Sequence, residues 1–198
     1  MAEHPFTTLV VGDIGVNCYL VPGPKSGNLY IIDPGDDAAD IIRAAADFTY
    51  REAVILLTHA HFDHIYGANA LYKAYPQCHV FTSDYGREAL YSDKKNFSLY
   101  HESSFVFEGK DVSILKDGDI VEIYPGKSLA VYATPGHCQS CLTYMVGAWV
   151  FTGDSYIPGV KVVTVLPKSD RTLAKQSKDR IFQLAEGKTI CPGHGDMV

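Results

Sequence analysis

The sequence has no long apolar run, and this is the first constraint that it places on the protein. No apolar stretch approaches the roughly 18–20 residues that a membrane-spanning helix needs. Residues Met1–Pro5 show no basic region followed by an apolar stretch, so no secretory signal peptide is visible. We therefore expect a cytoplasmic protein without a membrane partner.

Basic residues are fewer than acidic ones. The chain has 17 Lys and Arg against 23 Asp and Glu, which gives a formal net charge of −6 and a pI near 5.7. A protein that binds nucleic acid presents a basic face to the phosphates. The charge balance therefore argues against a nucleic-acid partner.

Cysteines are also few. There are five, an odd number, and they are scattered along the chain. A disulfide framework uses an even number at close spacing, so the pattern fits a reducing compartment better. The length of 198 residues, with 46% hydrophobic and 20% charged residues, favours a single globular domain over residues 1–198.

The informative segment runs from His59 to His64. It places three imidazoles and one carboxylate within six residues. The short apolar run Ala53–Leu57 precedes it and predicts a buried strand, while the segment from Asp63 to about Tyr75 predicts a helix. The cluster therefore lies in a turn at the C-terminal end of a strand, where open α/β sheets place their chemistry.

These residue types indicate a metal centre. Imidazole nitrogens and carboxylate oxygens are ligands that suit zinc, and also iron or manganese. His59 and His61 are two residues apart and project to one side of an extended turn, whereas Asp63 and His64 turn toward a second point. One ion does not easily take all four ligands from so short a stretch, but two adjacent ions do. Each ion needs further ligands from elsewhere in the chain.

Three later strand-like runs also end in a residue that can bind a metal. His137 follows the turn Thr134–Gly136, Asp154 follows Val150–Gly153, and His194 follows Thr189–Gly193. The recurrence reflects either an internal duplication or shared turn chemistry. A lone His-x-His would more simply be a polar turn, but the full set favours a metal centre.

Taken together, these motifs resemble the metallo-β-lactamase fold superfamily, in its glyoxalase II-like branch. The matching positions are Asp33 in the run Ile32–Gly35, the cluster from His59 to His64, His137, Asp154 and His194. The resemblance implies an α/β (α+β) fold, the four-layer αββα sandwich. It also implies that one metal ion is bound by His59, His61 and His137, and the other by Asp63, His64 and His194. Asp154 would bridge both ions, and Asp33 would brace the ligand loops from outside.

The resemblance also implies an activity on a small-molecule substrate. A water activated by two divalent metal ions, most simply zinc, would cleave an ester, a thioester of the hydroxyacylglutathione type, or a lactone. Asp63 would orient the attacking water or move its proton. The alternative is an oxidoreductase similar to persulfide dioxygenases, which use a single iron bound by two histidines and the bridging aspartate. Metal identity depends on geometry and supply as well as on ligands, so both classes stay open.

The sequence departs from the family pattern at several positions. Tyr66 replaces the first of two glycines that often follow the cluster, and Cys138 follows His137 in place of threonine. Glyoxalase II enzymes add a C-terminal helical domain that holds much of the glutathione site, whereas four residues follow His194 here. This departure argues against a glutathione thioester, while an ester, another thioester or a lactone stays open. Lys161, Tyr66 and Tyr156 are the predicted substrate contacts.

The remaining pattern predicts two strand-rich halves that are each closed by helices. Strands are expected at Thr7–Val11, Asn17–Val21, Asn28–Ile32, Cys78–Thr82, Ile120–Ile123, Ser128–Ala133 and, as a hairpin, Cys141–Thr152. Asp36 or Asp37 caps one predicted helix and Ser169 caps the last. Residues 84–104, which are polar and aromatic, are expected to form a short helix and a loop over the site.

Overall fold

A computed structural model describes residues 6–23, 27–124 and 126–198, so the N-terminal segment Met1–Pro5 lies outside the described residues. Two β-sheets pack face to face in this part of the chain. Helices cover the outer faces, and the predicted αββα architecture is confirmed. Among the described residues, none of the helices is both long and apolar enough to cross a membrane.

The first sheet has the strand order β1-β2-β3-β4-β5-β6. Its strands are β1 (Thr7–Val11), β2 (Val16–Pro22), β3 (Leu29–Ile32), β4 (Ala53–Leu56), β5 (His79–Thr82) and β6 (Val112–Ile114). The first three strands pair antiparallel, and β3 to β6 pair parallel. The short strand β6 was not predicted.

The second sheet has the order β11-β10-β9-β8-β7. Its strands are β7 (Ile120–Tyr124), β8 (Lys127–Ala133), β9 (Leu142–Val146), β10 (Trp149–Gly153) and β11 (Thr189–Pro192). The pairing is antiparallel except between β10 and β11, which run parallel.

Strands β3 and β4 are buried on both faces, as central parallel strands usually are. Leu29 and Ile31 face the helices, whereas Tyr30 and Ile32 face the second sheet. The same alternation places Ile55 on the helical side and Leu56 between the sheets. The continuous apolar runs read from the sequence therefore correspond to strands that contribute to two cores.

Five α-helices pack around the sheets in the described residues: α1 (Ala38–Ala45), α2 (Phe62–Ile65), α3 (Ala68–Ala74), α4 (Asp84–Leu90) and α5 (Arg171–Leu184). The carboxylate of Asp37 accepts a hydrogen bond from the backbone N–H of Asp40 and caps α1, as predicted.

The single helix predicted from Asp63 to Tyr75 is divided into α2 and α3. The break lies at Gly67, whose backbone N–H donates to the carbonyl of Gly35. A Cβ atom at this position would lie 3.1 Å from the carbonyl oxygens of both Gly35 and Pro34. This close approach of two backbones explains the glycine, and it overrides the helical pattern.

The predicted cap of the last helix was wrong by one residue. Asp170 caps α5, because its carboxylate accepts from the backbone N–H of Leu173 at 2.9 Å. The Ser169 hydroxyl instead donates to the carbonyl oxygen of His137 at 2.8 Å. Ser169 therefore supports a loop of the site rather than the helix.

Truncation of Ile55 tests the role of the central strand. Ile55 is fully buried, and Ile55→Ala is expected to lower the free energy of unfolding by about 2–5 kcal/mol, since a cavity remains beneath the helices. Ile120 on the edge strand is 64% exposed and supplies the matched control, with an expected change within about 0.5 kcal/mol for Ile120→Ala. Urea denaturation measures both. Equal losses in the two variants would contradict this assignment of the core.

Candidate metal centre

Four strands deliver the predicted ligand residues to one edge of the sandwich. The loop after β4 carries His59 and His61 and continues into α2 with Asp63 and His64. The other three follow β8, β10 and β11, and they are His137, Asp154 and His194. The two sheets are joined at this edge, because the backbone N–H of Leu142 donates to the carbonyl of Thr58 at 2.7 Å.

The first group consists of His59, His61 and His137. One ring nitrogen of each lies within 4.8 Å of the other two, and all three side chains are buried. Nδ1 of His61 is 2.9 Å from Nε2 of His137. Three imidazole nitrogens that converge in this way match the ligand set of a divalent metal ion.

The second group consists of Asp63, His64 and His194, whose inward atoms also lie within 4.8 Å of one another. Oδ2 of Asp63 is 3.7 Å from Nε2 of His64 and 3.5 Å from Nε2 of His194. This group offers one carboxylate oxygen and two ring nitrogens.

Asp154 lies between the two groups. Its Oδ1 is 3.4 Å from Nε2 of His64 and 3.6 Å from Nε2 of His194. Its other oxygen, Oδ2, is 3.7 Å from Nε2 of His137. One carboxylate oxygen therefore faces each group.

The outer nitrogens of the histidines are fixed by the surrounding chain. Nδ1 of His137 lies 3.1 Å from the carbonyl of Val163, and Nδ1 of His194 lies 3.1 Å from the carbonyl of Gly15. A carbonyl only accepts, so each Nδ1 carries the hydrogen. In the neutral ring, Nε2 then carries a free electron pair that points inward. This Nδ1-protonated tautomer is the one that binds a metal through Nε2.

Buried polar atoms without partners provide the direct test of whether a metal fits. Nε2 of His59, Nε2 of His64 and Oδ1 of Asp154 are buried and make no hydrogen bond. An unsatisfied buried polar group costs roughly 1–3 kcal/mol, and such groups rarely cluster by chance. The two nitrogens belong to the two groups, and the oxygen of Asp154 faces the second group. These atoms have the nitrogen and oxygen chemistry that zinc, iron and manganese accept. The side chains therefore fit a metal centre.

Asp33 supports the centre from outside, and it is almost completely buried. Its Oδ1 accepts from the backbone N–H of Thr58 at 2.7 Å, and its Oδ2 accepts from the Thr58 hydroxyl at 2.5 Å and lies 3.0 Å from Nδ1 of His64. Asp33 also has a φ of 51°, a left-handed conformation that non-glycine residues seldom adopt.

Charge in the centre is balanced between carboxylates and imidazoles. Burial lowers the pKa of His64, but the carboxylates of Asp63, Asp154 and Asp33 outweigh burial and raise its pKa well above the ordinary value. Burial raises the pKa of Asp154, but His64 outweighs it and holds the pKa of this carboxyl below its usual range. A cation that replaces the His64 proton would therefore meet ionised carboxylates.

Gly193 shows how tightly the loops are packed. A Cβ atom at this position would lie 2.3 Å from Oδ1 of Asp154 and 2.9 Å from Cε1 of His64. The residue before His194 therefore has to lack a side chain for the two groups to approach each other.

The three predicted substrate contacts lie in different places. Tyr66 lines a cavity beside Asp63, and its hydroxyl donates to the carbonyl of Ser103 at 2.6 Å. Tyr156 and Lys161 line a separate groove along α5, which includes none of the seven clustered side chains. The structure therefore brings Tyr66 to the centre and leaves Tyr156 and Lys161 apart from it.

Phe97 is a neighbour of the centre that sequence reasoning missed. Its ring centroid lies 5.0 Å from that of His61. The next aromatic pair along the loop, Phe62 and His101, stacks at 4.4 Å. The aromatic composition of residues 84–104 was the sequence signal that could have indicated Phe97. The contacts of Phe97 and His101 show that this segment lies over the site, as predicted.

Cys138 and Cys141 are both buried, and their sulfur atoms lie 3.2 Å apart. Neither belongs to a group of side chains in the described residues whose atoms converge as metal ligands would. Neither thiol therefore adds a ligand to the two groups.

Fold and site together define a metal-binding α/β sandwich. The chain belongs to the metallo-beta-lactamase superfamily, whose sequence profile matches residues 11–194. Among curated relatives, the uncharacterized protein Rv2581c of Mycobacterium tuberculosis is 26% identical over 204 residues, 96% of this chain and 90% of that protein. The hydroxyacylglutathione hydrolase of Salmonella gallinarum is 29% identical over 168 residues, 85% of this chain but 57% of that enzyme.

Solved structures show the same fold. The B3 metallo-beta-lactamase BLEG-1 superposes with a TM-score of 0.87 at 27% identity, covering 98% of this chain and 93% of that one. TTHA1623 in a di-iron-bound form superposes with a TM-score of 0.81 at 26% identity, and the match covers 97% of this chain and 93% of that one. ETHE1 from Myxococcus xanthus superposes with a TM-score of 0.72 at 25% identity, and the match covers 96% of this chain and 76% of that one.

Replacement of Asp33 tests its supporting role. Asp33→Asn keeps the size and tolerates the left-handed backbone, but it removes the charge and one acceptor that position Thr58 and His64. Metal affinity, measured by competition with a chromogenic chelator, is expected to fall by about 10–100-fold. The exposed Asp47 provides the matched control, and Asp47→Asn should leave affinity unchanged. Unchanged affinity in Asp33→Asn would show that the bracing is dispensable.

Proposed function

We propose that the protein is a metal-dependent hydrolase that cleaves an ester, thioester or lactone bond in a small molecule. The observation that carries this proposal is the position of Asp154, with one oxygen facing each of two three-residue groups. The superfamily assignment and the likeness to a hydroxyacylglutathione hydrolase support a hydrolytic reaction. That relative is matched over 57% of its length, so its substrate is not carried over.

We assign one divalent metal ion to His59, His61 and His137. The second is assigned to Asp63, His64 and His194, and Asp154 is shared by both. Zinc is the metal we favour, because the donors are nitrogen and carboxylate oxygen. Iron and manganese accept the same donors, and one structural neighbour is di-iron-bound.

When bound, such a pair of cations supplies a water that ionises near neutral pH, since metal binding can lower the pKa of water from about 15.7 to about 7. The chain provides the remaining functions. The water adds its oxygen to the acyl carbon, the bond to sulfur or oxygen breaks, and the second proton goes to the leaving thiol or alcohol. Asp63 borders a cavity, and we assign to its carboxylate the role of orienting this water and transferring its proton.

Aromatic side chains shape the approach to the centre. Phe97 packs against His61, and Phe62 stacks on His101, so one side of the first group is covered by apolar rings. Tyr66 narrows the cavity on the side of Asp63. These rings would exclude bulk water and hold the substrate against the centre.

Replacing one ligand of each kind tests the proposal. His61→Ala and Asp154→Ala are each expected to lose bound metal and to lower esterase or thioesterase turnover by at least about 100-fold, more than loss of an outer-shell partner costs. His79 is the control, because it bonds Ser113 within the first sheet, and His79→Ala should retain metal and turnover. Metal analysis and a thioester and lactone panel provide the readouts. Full turnover in His61→Ala or in Asp154→Ala would contradict the proposal.

A persulfide dioxygenase is the second candidate, and the likeness to ETHE1 favours testing it. An oxygen electrode with a low-molecular-weight persulfide separates the two classes, because hydrolysis consumes no oxygen. We expect hydrolysis of a thioester or lactone without oxygen uptake in the same preparation. Oxygen uptake that depends on bound iron would contradict the proposed hydrolase function and support a dioxygenase.

A further inference from the structure

A large groove opens beside the first histidine group, and the proposed function does not account for its lining. Phe62 follows His61 in the chain, and Phe97 packs against the His61 ring. Gln139, two residues after His137, lines the same groove. The groove therefore borders the first group through Phe97, although none of the three histidines lines it.

The groove is basic, although the chain as a whole carries a net charge of −6. Lys95 is neutralised, because its Nζ lies 2.6 Å from a carboxylate oxygen of Glu88. Lys94 and Lys168 also line the groove, and neither makes an ion pair with any residue that the structure describes. Two uncompensated ammonium groups at an aromatic groove are complementary to an anion with an apolar body.

Backbone conformation points to the same place. Among the described residues, three non-glycine residues have a positive φ: Asp33 at 51°, Phe97 at 67° and Lys168 at 69°. Asp33 braces the metal centre, and the other two line the groove. A left-handed conformation is unfavourable for such side chains and is retained where the surroundings fix it, most often at functional sites.

The cavity on the other side of Phe62 has the opposite sign. Asp13, Asp36, Asp63 and Glu102 line it together with Tyr66. Phe62 borders both cavities, so the charge changes sign across one aromatic ring. An anionic group would be repelled from the acidic cavity and attracted to the lysines.

We propose that the substrate is an amphipathic anion, namely an ester or thioester with an aromatic or other apolar body and a carboxylate, sulfonate or phosphate end. The body lies against Phe62, Phe97 and Tyr100, and the anionic end reaches Lys94 and Lys168. The scissile bond is thereby directed toward the histidine groups. This inference rests on the proposed function and specifies the substrate class for it.

Ligand binding tests the inference without turnover. Naphthalene-2-sulfonate, an aromatic anion that coordinates metals weakly, is titrated calorimetrically into the full chain with and without metal, beside neutral 2-(hydroxymethyl)naphthalene. The sulfonate is expected to bind more tightly than the alcohol in both states. Lys168→Met and Lys94→Met should each weaken sulfonate binding about fivefold, which corresponds to about 1 kcal/mol, and should leave the alcohol unaffected.

Lys178 supplies the matched control, because it is exposed and lies in the separate groove along α5. Lys178→Met should bind the sulfonate as the unmodified protein does. Equal binding of sulfonate and alcohol, or a loss in Lys178→Met as large as in Lys168→Met, would overturn the inference.

Kinetics with matched esters separate failure of the inference from failure of the proposed function. Lys168→Met should raise KM about fivefold for 4-sulfophenyl acetate and leave KM for phenyl acetate unchanged, since only the first carries the anionic group. Equal effects on both esters would overturn the inference while hydrolysis itself stands. If neither ester is hydrolysed, the proposed function fails on these substrates, and the calorimetric comparison still decides the binding of anions.

Discussion

The buried carboxylate of Asp33 is the interaction on which the rest of the site depends. It joins the end of β3 to Thr58 and to His64 through three contacts of 3.0 Å or less. Thr58 in turn receives the backbone N–H of Leu142 from the second sheet and packs against Gly153, where a Cβ atom would lie 2.2 Å from its hydroxyl. One charged group therefore fixes the loop at which both sheets meet, and this junction brings the ligand strands together.

The convergence of the histidine and aspartate side chains was predictable because its signal is local. Three histidines and an aspartate within six residues, and turns that end at His137, Asp154 and His194, are visible without any tertiary information. The central strand β4 was predictable for the same reason, because its continuous apolar run indicates a strand buried on both faces. Tertiary contacts decided what was missed: Gly67 breaks a helical pattern because another backbone packs against it, and Ser169 bonds the His137 loop instead of capping α5.

The surroundings of the centre were the least predictable part. Lys161, a predicted substrate contact, lines a groove along α5, and the carbonyl of Val163 in the same segment holds His137. Lys168 reaches the groove through a left-handed backbone conformation that no local pattern indicates. A protein with net negative charge thus presents a basic groove at one side of its metal centre and an acidic cavity at the other.

If Asp154 is shared by two metal ions, the number of ions bound per chain shows it. Protein expressed without added metal and purified without a tag is analysed by inductively coupled plasma mass spectrometry beside His194→Ala. We expect close to two divalent ions per chain, with zinc predominant, and close to one in the variant, which retains the group of His59, His61 and His137. A single iron per chain that survives in His194→Ala, or no bound metal, would contradict it.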